Sequence, residues 1–198
     1  MRKKKKPQLT IWCNKSKPEP LDLMDLAELA GYEIQVTKNL ELQEEMLAPN
    51  LSFIVALDNT LEGSKMYELL LSVKQTPVTL VHPTAYISPK AFIGDGCFIG
   101  ANSVIETGCI VGHCSVIKPN TVLLPNVYLG DYSYVDPGVS IGERTQLGKS
   151  CYIGANCSIS SSLTMGCDII IEPGLVVEQD VPSGSIVQKD PSKISTLC

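Results

Sequence analysis

The chain has 198 residues, of which 44% are hydrophobic and 6% aromatic, and it carries a formal net charge of −5. This length accommodates one large domain or two small ones with a buried core. The negative charge argues against a general nucleic-acid-binding protein, and no apolar run reaches the ~18 residues of a membrane-spanning helix.

The basic N-terminus and the cysteines bear on the compartment. The run from Arg2 to Lys6 is not followed by the apolar stretch of a signal peptide, which favours a cytoplasmic protein with a solvated basic tail. The eight cysteines show no CxxC spacing, so the sequence predicts no metal site. We interpret them as packing residues that stay reduced in the cytoplasm.

The first 80 residues alternate predicted strands and helices. The predicted strands are 8–13 (QLTIWC), 32–37 (YEIQVT) and 51–59 (LSFIVALDN). The predicted helices are 21–30, which Gly31 terminates, and 61–74 (LEGSKMYELLLSVK). This alternation predicts an α/β, Rossmann-like domain over residues 1–80, with a small parallel sheet.

The turn after the first predicted strand lacks the residues of a phosphate-binding loop. In Rossmann-like domains, glycines in this turn let backbone N–H groups approach a phosphate at the helix N-terminus. Here the turn is NKSKPEP, residues 14–20, and the first glycine of the chain is Gly31. We interpret Lys15 and Lys17 as solvated residues and predict that the nucleotide-binding loop is missing or rebuilt.

A six-residue period begins at His82 and continues without insertion to Val177. Each of the sixteen hexapeptides ends in an aliphatic residue or Met, position 4 is mostly small, and Gly or Pro recurs at positions 1 to 3. Such a repeat predicts a parallel β-helix in which three hexapeptides form one triangular coil. Residues 18 apart then stack about 4.8 Å from each other. The predicted β-helix domain covers residues 81–198, with the residues after Val177 capping its end.

Stacking at this interval assembles two polar columns. The columns are Thr107, Pro125, Glu143 and Ser161, and Asp95, His113, Asp131 and Lys149. Glu143 is the strong base of the first column, and the neighbouring carboxylates of the second favour the charged form of His113. Both residues are catalytic candidates, although each column also fits an ordinary solvated surface. We interpret His82 as a structural residue at the entry to the repeats.

The order of these parts resembles one family. A small βαβ domain, the segment HPTAYISPKAFIGDG, the hexapeptides and the tail QDVPSGSIVQKDPSKI are similar to the bacterial hexapeptide-repeat sugar acetyltransferases over essentially the whole chain. The resemblance implies a left-handed parallel β-helix, a homotrimer, and acetyl-CoA bound between neighbouring subunits. It also implies acetyl transfer to an amino sugar or sugar nucleotide in bacterial surface-glycan biosynthesis, with the sugar held by the adjacent N-terminal domain.

The resemblance also assigns site positions. The family's catalytic histidine, a general base, falls at Pro125, which has no titratable group. A second family histidine falls at Tyr134, and the cofactor-lining positions fall at Ala155 and Pro173. The missing histidine and glycine loop leave two alternatives open. One is a catalytically silent relative that serves as a scaffold, and the other is a protein that binds an acyl-CoA or sugar nucleotide without turnover.

Overall fold

The computed structural model describes residues 6–13, 20–37, 52–56, 65, 67–69, 72, 75–189 and 195–196. Its N-terminal part contains a three-stranded parallel sheet with the strand order β2-β1-β3. The elements are β1 Gln8–Trp12, α1 Leu21–Leu29, β2 Glu33–Thr37 and β3 Ser52–Val55. The three predicted strands and the first predicted helix are therefore confirmed.

Helix α1 packs on this sheet through the face that its sequence pattern predicts. Leu23, Leu26 and Ala27 are buried, and the chain leaves the helix through Gly31, which has φ +90°. Residues 65, 67–69 and 72 are helical, as the second predicted helix requires. The remainder of that helix, and the loop NKSKPEP apart from Pro20, lie outside the described residues.

The second part is a parallel β-helix of short strands. Its strands are β4 Leu80–Val81, β5 Tyr86–Ile87, β6 Phe92–Ile93, β7 Phe98–Ile99, β8 Val104–Ile105, β9 Ile110–Val111, β10 Val116–Ile117, β11 Val122–Leu123, β12 Tyr128–Leu129, β13 Tyr134–Val135, β14 Ser140–Ile141, β15 Gln146–Leu147, β16 Tyr152–Ile153, β17 Ser158–Ile159, β18 Thr164–Met165, β19 Ile170–Ile171, β20 Val176–Val177, β21 Ser185–Val187 and β22 Ser195–Thr196. Within the hexapeptides, each strand occupies positions 5 and 6 of its repeat.

These strands form three faces. The eight-stranded face has the order β22-β21-β19-β16-β13-β10-β7-β4, the six-stranded face β20-β17-β14-β11-β8-β5, and the five-stranded face β18-β15-β12-β9-β6. Val116 pairs with Tyr134 and Ile117 with Val135, so residues 18 apart stack as the period predicts. At the C-terminal end β21 adds to β19 and then pairs antiparallel with β22, which extends the stack beyond the hexapeptides.

The interior of the β-helix is filled by positions 4 and 6 of the repeats. The aliphatic position-6 residues form the core, and small position-4 residues such as Cys109 and Ser115 are fully buried beside them. The position-4 side chains also donate hydrogen bonds to carbonyl groups 15 residues ahead: Ser103 Oγ to Lys118 O at 3.0 Å and Cys109 Sγ to Leu124 O at 3.1 Å. Position 4 therefore favours residues that are small and that also carry a hydrogen-bond donor.

Position 3 of the repeats adopts a left-handed backbone at most corners. Asn120, Asn126 and Asn156 have φ between +57° and +62°, which suits asparagine. Cys114 and Tyr132 occupy the same conformation, at φ +51° and +59°, although these residue types rarely adopt it. Both side chains pack in the core that joins the N-terminal sheet to the β-helix, which offsets the backbone cost.

The N-terminal sheet and α1 pack against the eight-stranded face. Leu80, Phe98 and Val116 of that face share a buried core with Trp12 and Leu23. The C-terminal ends of β1 and β3 thereby lie next to the β-helix. Along the stretches of chain that the model describes, no helix is both long and apolar enough to cross a membrane.

Candidate functional site

The predicted site residues lie on different corners of the β-helix. The first corner connects the eight-stranded face to the six-stranded face and contains Ala155 and Pro173. The second corner connects the six-stranded to the five-stranded face and contains Pro125 and Glu143, and the third, which leads back to the eight-stranded face, contains His113. One chain by itself therefore does not bring the catalytic and cofactor candidates together.

The first corner is closely packed and carries small side chains. Gly174 N donates to Ala155 O at 2.8 Å, so Ala155 and Pro173 stack in successive coils. A Cβ added to Gly154 would lie 2.5 Å from Pro173 N, which shows how near these coils approach. Ala155 is half-buried and Pro173 is exposed. The corner thus presents a strip of small side chains that stack along the axis of the β-helix.

The second corner holds Glu143 in an ion pair. Glu143 Oε1 accepts from Arg144 Nη2 at 2.7 Å, and Arg144 Nε donates to Ser162 Oγ at 3.3 Å. Arg144 N also donates to Pro125 O at 3.0 Å, which places Glu143 one coil from Pro125. The two charged side chains are 43% and 60% exposed, so the pair is weak and a competing group can displace the guanidinium.

The third corner contains the predicted ladder of charged residues. His113 N donates to Asp131 Oδ1 at 2.9 Å, and Lys149 Nζ lies 3.0 Å from Asp131 Oδ2. Asp95 N donates to His113 Nδ1 at 3.0 Å, whereas Asp95 Oδ2 is 3.8 Å from that nitrogen. The backbone N–H of Asp95 is therefore closer to His113 Nδ1 than the Asp95 carboxylate is.

Tyr67 of the N-terminal part covers this corner. Its ring stacks on His113 with centroids 6.1 Å apart and meets the edge of Tyr132 at 5.6 Å. Burial, with smaller contributions from Cys114 and the nearby carboxylates of Asp95 and Asp131, raises the pKa of Tyr67 to about 12. A neutral, buried ring over the imidazole indicates a packing contact. Apart from the helical pattern around Tyr67, no sequence feature predicts this contact.

Tyr134 lies on the eight-stranded face, near the first corner. Its ring stacks on Tyr152 at 5.8 Å with an interplanar angle of 23°, and Tyr152 Oη donates to Asp136 Oδ2 at 2.6 Å. Burial raises the pKa of Tyr134, and this effect outweighs the opposing effect of the Lys118 charge. The phenol therefore remains protonated near neutral pH and can donate a hydrogen bond.

Lys118 and Asp22 form a contact that sequence reasoning missed. Asp22, in the first turn of α1, pairs with Lys118 Nζ across 96 residues of sequence. The ammonium also lies over the rings of Phe98 and Tyr134, 5.3 and 5.6 Å from their centroids. Burial lowers the pKa of Lys118, but the hydrogen bond to Asp22 and the contact with Tyr134 outweigh it and raise the pKa overall.

His82 has the structural role that the sequence predicts. Its Nδ1 accepts from Thr84 N at 3.2 Å and lies 2.9 Å from Thr84 Oγ1, which closes the turn into the first repeat. Within the described part of the chain, no cluster of three or more His, Cys, Asp or Glu side chains could hold a metal ion.

Two family models match the repeats. The model described as bacterial transferase hexapeptide (six repeats) matches residues 90–125, and the model described as hexapeptide repeat of succinyl-transferase matches residues 144–179. The β-helix is therefore built from hexapeptide repeats. A comparison with curated protein sequences gives no match.

Solved structures of acetyltransferases share the fold of the chain. The acetyltransferase domain of PglB from Neisseria gonorrhoeae has a TM-score of 0.83 at 21% identity, covering 95% of this chain and 99% of that one. Its complex with acetyl coenzyme A gives 0.66 at 22%, covering 96% and 100%. A variant of perosamine N-acetyltransferase from Caulobacter crescentus, in complex with CoA and GDP-perosamine, gives 0.73 at 22%, covering 95% and 96%.

Proposed function

We propose that this chain is an acetyl-CoA-dependent acetyltransferase acting on an amino sugar or sugar nucleotide in bacterial surface-glycan biosynthesis. The observation that carries the proposal is the likeness in fold, over 95% of the chain, to acetyltransferases solved with acetyl coenzyme A or with CoA and GDP-perosamine. The likeness includes the N-terminal part as well as the repeats, so it extends over all regions that a two-substrate site would require.

The architecture that goes with this function has two domains. We infer a Rossmann-like domain over residues 1–80 and a left-handed β-helix with its cap over residues 81–198. The parallel sheet order β2-β1-β3, with α1 as the crossover between β1 and β2, supports the first assignment. A cytoplasmic location fits the free thiols of all the cysteines that the model describes.

We assign acetyl-CoA, the co-substrate, to the first corner. The stacked Ala155 and Pro173 offer the strip along which its pantetheine arm would extend. Tyr134 lies on the face leading into this corner and can donate a hydrogen bond to an acyl oxygen. No large side chain from position 2 obstructs the strip at these coils, which supports the assignment.

We infer that the active site forms between copies of the chain in a homotrimer. The first corner of one copy would supply the cofactor candidates, and the second corner of a neighbouring copy would supply Glu143. These groups lie on separate corners in a single chain. Exposed apolar side chains on two faces support association, because they remain accessible to water in the isolated chain. They are Tyr86 and Val176 on the six-stranded face and Phe92, Ile110 and Tyr128 on the five-stranded face.

Acetyl transfer requires a base that Pro125 cannot provide. The amine or hydroxyl of the acceptor attacks the thioester carbon and passes its proton to a base. The carbon–sulfur bond breaks, and CoA leaves as the thiolate, which takes up a proton from that base or from solvent. Glu143 is the stronger candidate because it lies one coil from Pro125 at the same corner. His113 is the weaker candidate because Tyr67 covers its ring.

Thiol release from acetyl-CoA tests the proposal. Wild-type protein is expected to release thiol with at least one amino-sugar acceptor, and Glu143→Gln is expected to lower the rate ~10²–10⁴-fold. His113→Asn and Pro125→His are measured beside it, and Glu178→Gln, an exposed carboxylate between the last hexapeptide and the cap, is the matched control. Folded protein with no turnover in any variant would contradict the proposal and leave the silent relative as the better account.

A further inference from the structure

The phenol ring of Tyr134 lies between a neighbour from the coil before it and a neighbour from the coil after it. The ammonium of Lys118, in the preceding coil, is 5.6 Å from the ring centroid. Tyr134 pairs with Tyr152 of the following coil in the parallel ladder, and their rings stack with centroids 5.8 Å apart and an interplanar angle of 23°. The ring of Tyr134 is half-buried, so its orientation depends on these two contacts as well as on burial.

Tyr152 is itself anchored by a hydrogen bond. Its Oη donates to Asp136 Oδ2 at 2.6 Å, which is a short hydrogen bond to a carboxylate. Asp136 follows Tyr134 by two residues, so this bond directs the Tyr152 side chain back towards the coil that carries Tyr134. The backbone of Asp136 is fixed as well, since its N donates to Ile153 O at 2.9 Å and its O accepts from Thr121 Oγ1 at 3.2 Å. The Tyr152 ring is therefore held against Tyr134 from a fixed point of the backbone.

The two phenols differ in their hydrogen bonding. Burial, with smaller contributions from Asp136 and Tyr134, raises the pKa of Tyr152 to about 12, and burial also raises the pKa of Tyr134 against the effect of Lys118. Both phenols are therefore protonated at neutral pH. The proton of Tyr152 is donated to Asp136, so Tyr134 is the member of the pair whose proton is available to a ligand.

We propose that Tyr152 and Asp136 are positioning residues that hold the Tyr134 phenol in place to donate a hydrogen bond to the acyl oxygen of acetyl-CoA. The inference rests on the proposed acetyltransferase function, in which Tyr134 lies beside the acyl group, and it adds two residues to that site. A donor stabilises the charge that develops on an acyl oxygen most when it is already oriented, because reorientation during the reaction would offset the gain. Tyr152 restricts the phenol through its ring, and Asp136 acts through the bond to Tyr152.

Calorimetric binding of acetyl-CoA and CoA tests the inference without turnover, because CoA lacks the acyl oxygen. Wild-type protein is expected to bind acetyl-CoA about three- to tenfold more tightly than CoA, as one hydrogen bond provides. Tyr152→Leu removes both the stack and the anchor, so it should reduce this preference to less than about twofold and leave the affinity for CoA unchanged. Asp136→Asn keeps an acceptor for Tyr152 and should retain most of the preference. No preference in the wild type, or a preference that survives in Tyr152→Leu, would overturn the inference.

A double-mutant cycle in thiol release separates positioning from a general structural role. Tyr134→Phe is expected to lower kcat about 10²-fold and Tyr152→Leu about tenfold, with KM for the acceptor within about twofold because neither side chain binds it. Combined, the two substitutions should lower kcat no further than Tyr134→Phe alone, because Tyr152 acts through the phenol that is already lost. Tyr32→Phe, which removes a hydroxyl between α1 and β2, is the control.

Multiplied losses of kcat in the double variant would contradict the positioning role of Tyr152. Absence of thiol release from wild-type protein with every acceptor would contradict the enzymatic function, while the calorimetry would still decide the role of Tyr152. Absence of binding by both acetyl-CoA and CoA would contradict the proposed function and this inference together.

Discussion

At position 4 of the hexapeptide, the hydrogen-bond donor atom of the side chain determines which residue types are suitable. Cys97, Cys109 and Ser103 share one environment, in which the side chain is buried and its thiol or hydroxyl reaches a carbonyl of the next coil. Burial raises the pKa of the Cys109 thiol, so it stays protonated as this donation requires. Serine, threonine and cysteine are interchangeable here because each combines small volume with a donor.

Cys109→Asp is therefore expected to destabilise the β-helix strongly. The substitution places a carboxylate with no compensating cation in a fully buried slot, at a cost of roughly 3–5 kcal/mol in the free energy of unfolding. Cys109→Ser keeps a small donor and should cost at most about 1 kcal/mol. Urea denaturation followed by circular dichroism measures both. Equal losses in the two variants would show that the slot does not discriminate by charge.

At the level of elements, two side-chain contacts supplement the buried core that the N-terminal part shares with the β-helix. Tyr67 contacts the third corner, and Asp22 reaches the eight-stranded face through Lys118. The Tyr67 side chain is buried, whereas the Asp22 side chain is 47% exposed. Loss of Tyr67 should therefore weaken the attachment more than loss of the ion pair.

Tyr67→Ala is expected to loosen the N-terminal part while the β-helix stays folded. Loss of a side chain that is only 5% exposed costs about 3 kcal/mol, since the cavity removes its contacts with His113 and Tyr132. Limited proteolysis should then cleave the N-terminal part faster and leave a resistant β-helix fragment. Leu29→Ala, at a residue of α1 that is 61% exposed, is the control. Equal protease resistance in the two variants would contradict the docking role.

For the whole molecule, the arrangement of exposed apolar groups has consequences for assembly. Phe92, Ile110 and Tyr128 stack directly through β6, β9 and β12 and form one apolar column on the five-stranded face. Further along this face the column becomes polar at Gln146 and Thr164. An apolar column on a flat parallel face gains free energy when a second copy covers it.

We expect a solution mass three times the 21.4 kDa of one chain. Ile110→Glu, at the middle of the apolar column, should shift the equilibrium towards monomer because association would bury a charge. Leu29→Glu changes an exposed apolar residue of α1 and should leave the mass unchanged. Sedimentation equilibrium measures all three proteins, and a monomeric mass for the wild type would refute the trimer.

The sequence by itself determined the β-helix and the elements that precede it. A period of six with an aliphatic residue at each sixth position admits one repeating backbone, so the stacking of Val116 on Tyr134 could be predicted from numbering alone. The strands around Leu9, Ile34 and Phe53 and the helix that stops before Gly31 followed from local apolar patterns in the same way. Local periodicity is sufficient to predict contacts where each residue's spatial neighbours lie at a fixed distance in sequence.

Only the tertiary structure decided which side chains contact each other across the interface between the N-terminal part and the β-helix. Asp22 and Lys118 are 96 residues apart, and no period relates them. The same holds for Tyr67 and His113, whose rings stack across the interface. Such pairs depend on how the N-terminal sheet packs on the eight-stranded face. That packing is set by the combined shape and burial of many side chains, and no local sequence pattern encodes it.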